Sequence, residues 1–250
     1  MSICIVTPTR NRAQALGLLS RWLRQQTVKP DLWVVVDDGE EKIKFEPPMT
    51  HLVKRMRGPN EPPHSLCLNL RQALPYMLAD KIMICEDDEY YAPTYIEEMS
   101  KRLDQAAAVG IGFSKYYHLK LKSPYVHENM QHASLAQTSF RRELIGDFIE
   151  ALSDPKEKFI DIKFWKRVRS RGMIWRDGDR YYPTGNSPIG AQYVGIKGFP
   201  GNPGIGFGHQ AMPQYRQDPT LEWLRWWIRP EDIAEYVKVG EEQLWQKSAN

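Results

Sequence analysis

Four carboxylates, Glu86, Asp87, Asp88 and Glu89, follow directly on the apolar run Ile82 to Cys85 in the segment KIMICEDDEYYAP. Adjacent acids repel one another. Crowded together they would hold a divalent cation through oxygen ligands, and the cation would in turn hold a phosphorylated substrate. The plainer alternative is a solvated acidic turn ahead of a helix, whose N-terminus favours acids in any case. A short apolar run is the mark of a buried parallel strand, and ligands of open α/β sheets gather at the carboxyl ends of such strands.

Two more apolar runs end in chemistry-bearing residues. Ile3 to Thr7 leads into Thr7-Pro8-Thr9-Arg10-Asn11-Arg12, and Leu32 to Val36 leads into Asp37-Asp38-Gly39. Side by side in a parallel sheet, the three ends would face one crevice. Taken singly they are a polar loop, a turn and an acidic cap; their coincidence favours a shared site.

Strands and helices alternate around these ends. Leu16, Leu19 and Leu23 mark one face of a helix from about Arg12 to Gln26. His51 to Arg55 reads as a third strand, followed by a helix with the stripe Leu66, Leu70, Ala73, Leu74 and Met77. A helix from Pro93 to about Gln105 has proline in its first turn, and Val109 to Phe113 is a further strand. The alternation predicts a parallel sheet. The second half is less regular: residues 135 to 140 read as extended, Arg141 to Leu152 and Asp161 to Arg171 as helical, and Pro183 to Gly208 as a long Gly- and Pro-rich loop. In the tail, Trp223, Trp226, Trp227 and Trp245 fall on two helical patterns split by Pro230. Core packing is the favoured reading of that tail, over an interfacial membrane helix or an aromatic platform.

A chain of 250 residues, 42% hydrophobic, fits one large α/β domain with an appendage. Cys4, Cys67 and Cys85 are unclustered and read as reduced core residues. The apolar start is too short for a signal peptide, and no stretch approaches about 18 unbroken apolar residues, so a soluble, cytoplasmic protein without a transmembrane segment is expected. The net charge is only +3, but Lys156 to Arg180 holds nine bases against four acids, which favours a polyanionic partner, a solvated helix face being the plainer reading.

The runs IVTPTRNRAQAL, QQTVKPDLWVVVDDGEE and KIMICEDDEYYAPTYIEEM, in this order and spacing, resemble family-2 glycosyltransferases of the GT-A fold over about the first 110 residues. The resemblance implies an α/β, Rossmann-like, mostly parallel central sheet flanked by helices, with a C-terminal helical extension. It divides the chain into a nucleotide-sugar half at 1–115, an acceptor half at 116–210 and the extension at 211–250. It also implies roles. Asp38 would accept a hydrogen bond from the uracil of a UDP-sugar, Pro8, Thr9 and Arg10 would line base and ribose, and Asp87 would bind ribose hydroxyls. Asp88 would ligate Mn²⁺ or Mg²⁺, which bridges the two phosphates and neutralises the departing diphosphate. Arg10 stands where the family commonly has Tyr, and SLCLNLRQAL lacks the family's usual Gly.

Two later segments extend the resemblance. HASLAQTSFRREL is similar to the family's strand and following Arg-Arg, which assigns Arg141 to the donor. IDIKFWKRVRSRG is similar to its Glu-Asp-x-Asp-Leu-x-x-Arg-x-x-x-x-Gly helix, with Asp161, Arg167 and Gly172 in register and Ile160 and Lys163 departing. By that match Asp161 is the general base of an inverting transfer, with Asp177 and Asp179 behind it; helix N-capping is its alternative role. His209, after NPGIGFGH, is the implied second metal ligand or diphosphate contact, its alternative a structural histidine. The loop before it would close over the donor and exclude water.

The implied activity is metal-dependent, inverting transfer of a sugar from a nucleotide-sugar, UDP-linked by expectation, to an acceptor hydroxyl. The basic segment suggests a hydroxymethylated pyrimidine in phage DNA, flipped out of its stack, which would place the protein in a host cytoplasm. The rivals are a cell-surface saccharide or lipid-linked acceptor, and a non-catalytic sugar-nucleotide-binding protein, for which Ile160 argues. A nucleotidyltransferase is disfavoured because no Gly-rich phosphate loop follows the first strand.

Overall fold

The structure is a computed structural model and describes residues 1–41, 43, 49–177, 190–199 and 216–248, the last nine of these as backbone only. In chain order the first half runs β1 (Ile3–Thr9), α1 (Ala13–Gln25), β2 (Leu32–Asp37), β3 (Thr50–Lys54), α2 (Leu66–Ala73), β4 (Lys81–Ile84), β5 (Tyr90–Tyr91), α3 (Tyr95–Leu103) and β6 (Ala108–Ile111). The second half runs β7 (Phe113–His118), β8 (Ser123–Glu128), β9 (Thr138–Arg141), α4 (Ile145–Ala151), α5 (Ile160–Val168), β10 (Gly172–Trp175), β11 (Tyr193–Lys197), α6 (Glu222–Trp227) and α7 (Pro230–Ser248).

Seven strands form one sheet in the order β10-β6-β9-β4-β1-β2-β3. All its pairs are parallel except those of β9, which runs antiparallel to both β4 and β6. The core strands read as unbroken apolar runs because both faces are covered. Ile3, Ile5, Trp33, Val35 and Met83 point into one core, under α1, α3 and the C-terminal helices. Cys4, Val6, Val34, Val36, Ile82 and Ile84 point into the other, under α2, α4 and α5.

A second sheet, β5-β11-β7-β8, stands beside the first. The single strand expected over Val109 to Phe113 is therefore two, β6 and β7, in different sheets. The chain changes sheet at Gly112, whose N–H donates to Trp175 O (2.8 Å) and whose carbonyl accepts from Asn129 N–H (2.7 Å). A Cβ there would lie 2.4 Å from Ile174 Cγ2 and 2.8 Å from Asn129 O, so only glycine fits the crossing. The long loop expected over Pro183 to Gly208 is likewise interrupted by the buried strand β11.

The tryptophan-bearing tail packs. Leu224, Trp227, Ile228, Ile233 and Tyr236 join the core that holds Leu19 and Trp22 of α1. Trp22 Nε1 donates to Tyr236 Oη at 3.0 Å, with the rings stacked 5.8 Å apart. The three cysteines are buried and free. Among the described residues no helix is long and apolar enough to cross a membrane.

Candidate functional site

Parallel pairing decides where the site lies. Thr9 stands opposite Asp37, and Val6 opposite Ile84, so the ends of β1, β2 and β4 emerge on one edge of the sheet. Gly39 ties two of them together: a Cβ there would fall 2.5 Å from Asn11 Oδ1, and Asn11 Oδ1 accepts Glu40 N–H at 2.7 Å. A cleft of about 670 Å³ opens at this edge. Thr9, Arg10, Arg12, Glu86, Asp87 and Glu89 line one wall; Tyr116, His127, His132 and Lys197 come from the second sheet and its loops, and Lys158 to Ile162 from the start of α5.

Three of the four acids have partners of their own. Asp87 accepts from Thr9 Oγ1 (2.5 Å) and from Arg12 Nη1 (2.9 Å). The same guanidinium nitrogen lies 2.7 Å from Asp88 Oδ2. Glu89 accepts from Lys197 Nζ (2.6 Å) and Ile196 N–H (2.5 Å). Two cations thus face four carboxylates, and the imbalance shows in their acidities. Burial, reinforced by Asp88 and Glu89, pushes the Glu86 carboxyl up to about 8. Burial also raises Asp87 and Glu89, against the pull of Arg12 and Lys197. Asp88 Oδ1 is buried with no hydrogen-bond partner, and oxygens of Glu86, Asp88 and Glu89 lie within 4.8 Å of one another. A buried acceptor without a donor is costly, and three converging carboxylates make the hard oxygen set that divalent cations take.

Asp161 enters the cleft from the first turn of α5. Burial raises its carboxyl above the usual range, partly offset by the Ile162 N–H and the charge of His132. His132 is positioned by Asn129, whose amide nitrogen lies 3.1 Å from its ring nitrogens and whose side-chain oxygen accepts the His132 backbone N–H.

No protein-family model matches the chain. Over 121 residues it is 28% identical to YwdF, an uncharacterized glycosyltransferase of Bacillus subtilis (strain 168), a match covering 42% of this chain and 40% of that protein. Among solved structures it is similar to S. aureus TarS 1-349 in complex with UDP-GlcNAc, with a TM-score of 0.56 at 15% identity. That superposition covers 78% of this chain and 58% of the other. It is also similar to the mannosyltransferase PcManGT from Pyrobaculum calidifontis in complex with GDP-Man and Mn²⁺, with a TM-score of 0.52 at 15% identity over 72% of this chain and 58% of that one. The fold is that of the GT-A glycosyltransferases. The chain spans 40% of the length of its curated relative and 58% of each of these two structures.

Of the residues that the GT-A resemblance implies, the structure brings some together at this edge and not others. Pro8, Thr9, Arg10, Asp87 and Asp161 line the cleft, Arg10 while donating to Pro63 O at 2.8 Å. Asp88 lies buried behind Arg12. Asp38 is not on the cleft wall. Its Oδ2 is taken by Arg55 (2.8 Å) and Arg57 (2.9 Å), and its Oδ1 by Asn69 (2.9 Å). Burial alone would raise this carboxyl; hydrogen bonds from Ser65, Asn69 and Arg57 and the charge of Arg55 hold it below its ordinary value. Asp38 thus anchors the two arginines, one contact back from Asn69 on the cleft wall.

Arg141 is corrected more strongly. Because β9 is antiparallel to β4, Arg141 pairs with Lys81 at the end of β4 remote from the acids, where its Nε donates to Leu103 O at 2.6 Å. Asp177 is buried beside Lys115 and accepts Gln192 N–H, a clamp at the foot of β11. Asp179 and His209 lie outside the described residues. The residues that sequence reasoning missed, Lys197, Tyr116, His127 and His132, all come from the second sheet or its loops. The signal for the last three was a cluster of aromatic and histidine residues between 113 and 132; Lys197 had none.

Proposed function

We propose that this chain transfers a sugar from a nucleotide-sugar, UDP-linked by preference, to an acceptor hydroxyl. The observation that carries the reading is the cleft itself: the acid cluster on one wall and the half-buried carboxyl of Asp161 on the other. Thr9 and Arg12 fix Asp87, which in this reading meets the donor. Asp161 takes the proton as the acceptor oxygen bonds to the anomeric carbon and the bond to the diphosphate breaks on the opposite face, which is inversion. Its pKa, raised by burial, suits a base that must hold that proton.

The residues present fit a divalent cation, on the strength of the unpartnered Asp88 Oδ1 and the three converging carboxylates. Glu86, Asp88 and Glu89 would hold it. When bound, Mn²⁺ or Mg²⁺ supplies charge that stabilises a departing diphosphate. The support for UDP is that TarS is seen with UDP-GlcNAc; PcManGT, with GDP-Man and Mn²⁺, supports the metal and keeps GDP-sugars in the comparison.

A DNA acceptor rests on the basic segment alone, and part of that charge is already spent. Lys163 pairs with Glu157, and Arg167 and Arg171 with Asp147.

A thermal-shift series tests the reading. UDP-sugars with Mn²⁺ should raise the melting temperature, since a ligand of the native state stabilises it by mass action. Asp88→Ala should remove the metal-dependent part of that shift. If no nucleotide-sugar shifts the wild type in either the presence or absence of metal, the function is wrong.

A further inference from the structure

The outward face of α5 carries both basic and apolar side chains. Phe159, Ile162, Lys166 and Arg169 recur at i, i+3, i+7 and i+10, one stripe of a helix, while Ile160, Phe164, Trp165 and Val168 take the core side. On that stripe Phe159 is 52% and Ile162 46% exposed, two apolar side chains one helical turn apart. Lys156, Lys158, Lys166 and Arg169 are exposed around them, and none makes an ion pair among the described residues. Two neighbouring acids are already engaged: Glu157 accepts the Lys158 and Phe159 N–H groups and pairs with Lys163, and Asp147 pairs with Arg167 and Arg171.

We infer that this face of α5 docks on an anionic phospholipid surface, with Phe159 and Ile162 entering the interface and Lys156, Lys158, Lys166 and Arg169 meeting the headgroups. Two signals are what reversible membrane binding needs, apolar insertion and basic charge, and both are on one stripe. A nucleic acid would use the charge but has no use for the exposed aliphatic Ile162, and a stacking platform needs aromatic rings in series, whereas Phe159 is the one ring on this stripe. The tail that invited a membrane reading is spent on the core, so the contact moves to α5. Because Lys158, Phe159 and Ile162 also rim the cleft, docking would set its mouth at the lipid–water boundary. The inference is independent of the glycosyl-transfer reading, since vesicle binding needs no donor.

The test is co-sedimentation of the full chain with vesicles of phosphatidylcholine alone or with about 30% phosphatidylglycerol, at about 0.05 M and about 0.5 M salt. Binding is expected only to the anionic vesicles and mainly at low salt. The double variants Lys166→Glu/Arg169→Glu and Phe159→Glu/Ile162→Glu should each weaken it by about tenfold or more while keeping the wild-type melting temperature. No binding to anionic vesicles overturns the inference. So does loss in the charge variant with none in the apolar one, which would leave simple polyanion attraction. Tighter binding of a single-stranded or duplex oligonucleotide, displacing the protein from vesicles, would assign the face to nucleic acid instead.

Discussion

Asp161 combines two properties that pull apart on mutation. Its carboxyl is raised by burial, so the folded chain holds this proton to higher pH than the unfolded chain does. Between the two values the folded state binds more protons, and stability contributed by this group falls as pH rises. Asp161→Asn removes that dependence, so the variant should be no less stable than wild type at neutral pH. As a base, however, Asp161 must be ionised, and the acid limb of wild-type turnover should lie above the ordinary aspartate value. Asp161→Asn should lower kcat by about 10²- to 10⁴-fold with little change in KM, the range for a lost general base. A pH–rate profile and a melting curve on the same preparation read both effects. A variant that loses stability and keeps its turnover would leave Asp161 as an acid that only stabilises the first turn of α5.

At the scale of elements, what could be read from sequence followed burial. The strands β1, β2 and β4 are covered on both faces and show as apolar runs, so their ends, and the acids on them, were legible. Strand β7 was not, because its buried positions carry polar letters: Ser114 is satisfied by Gln137 and Lys115 by Asp177. Strand β11 hid in a Gly-rich stretch, and its Lys197 is explained only by Glu89, far away in sequence. Arg141 was misplaced for a related reason: nothing local says that β9 runs against its neighbours. Gly112 is the joint between the two sheets, and its environment leaves no slack. Gly112→Ala should destabilise the chain by about 1–3 kcal/mol, the cost of forcing a methyl into packed surroundings. Because the joint leads into β7, the substitution should also disturb Tyr116 and weaken ligand binding in the cleft. Urea unfolding would show the loss; an unchanged midpoint would mean that the crossing can relax.

On the scale of the whole molecule, the C-terminal helices belong to the fold rather than to an accessory. Leu224, Trp227, Ile228, Ile233, Tyr236 and Val239 are buried in the same cluster as Leu16, Leu19 and Trp22. Burying each such side chain contributes roughly 1.5–3 kcal/mol, so the six together supply on the order of 10 kcal/mol, an upper estimate because unfolded chains already hide some surface. That is comparable with the entire stability of a typical domain. The backbone joins in too: Gly190 and Ala191 N–H groups donate to the carbonyls of Trp226 and Trp227, each at 2.9 Å, and so fix the entry to β11 and its Lys197. A chain ending before Pro219 should therefore lose cooperative unfolding, and with it the Lys197 contact to Glu89 and any metal-dependent response of the cleft. Calorimetry distinguishes the outcomes: a broad, heat-poor transition is expected, whereas a sharp one with donor binding retained would make the helices dispensable.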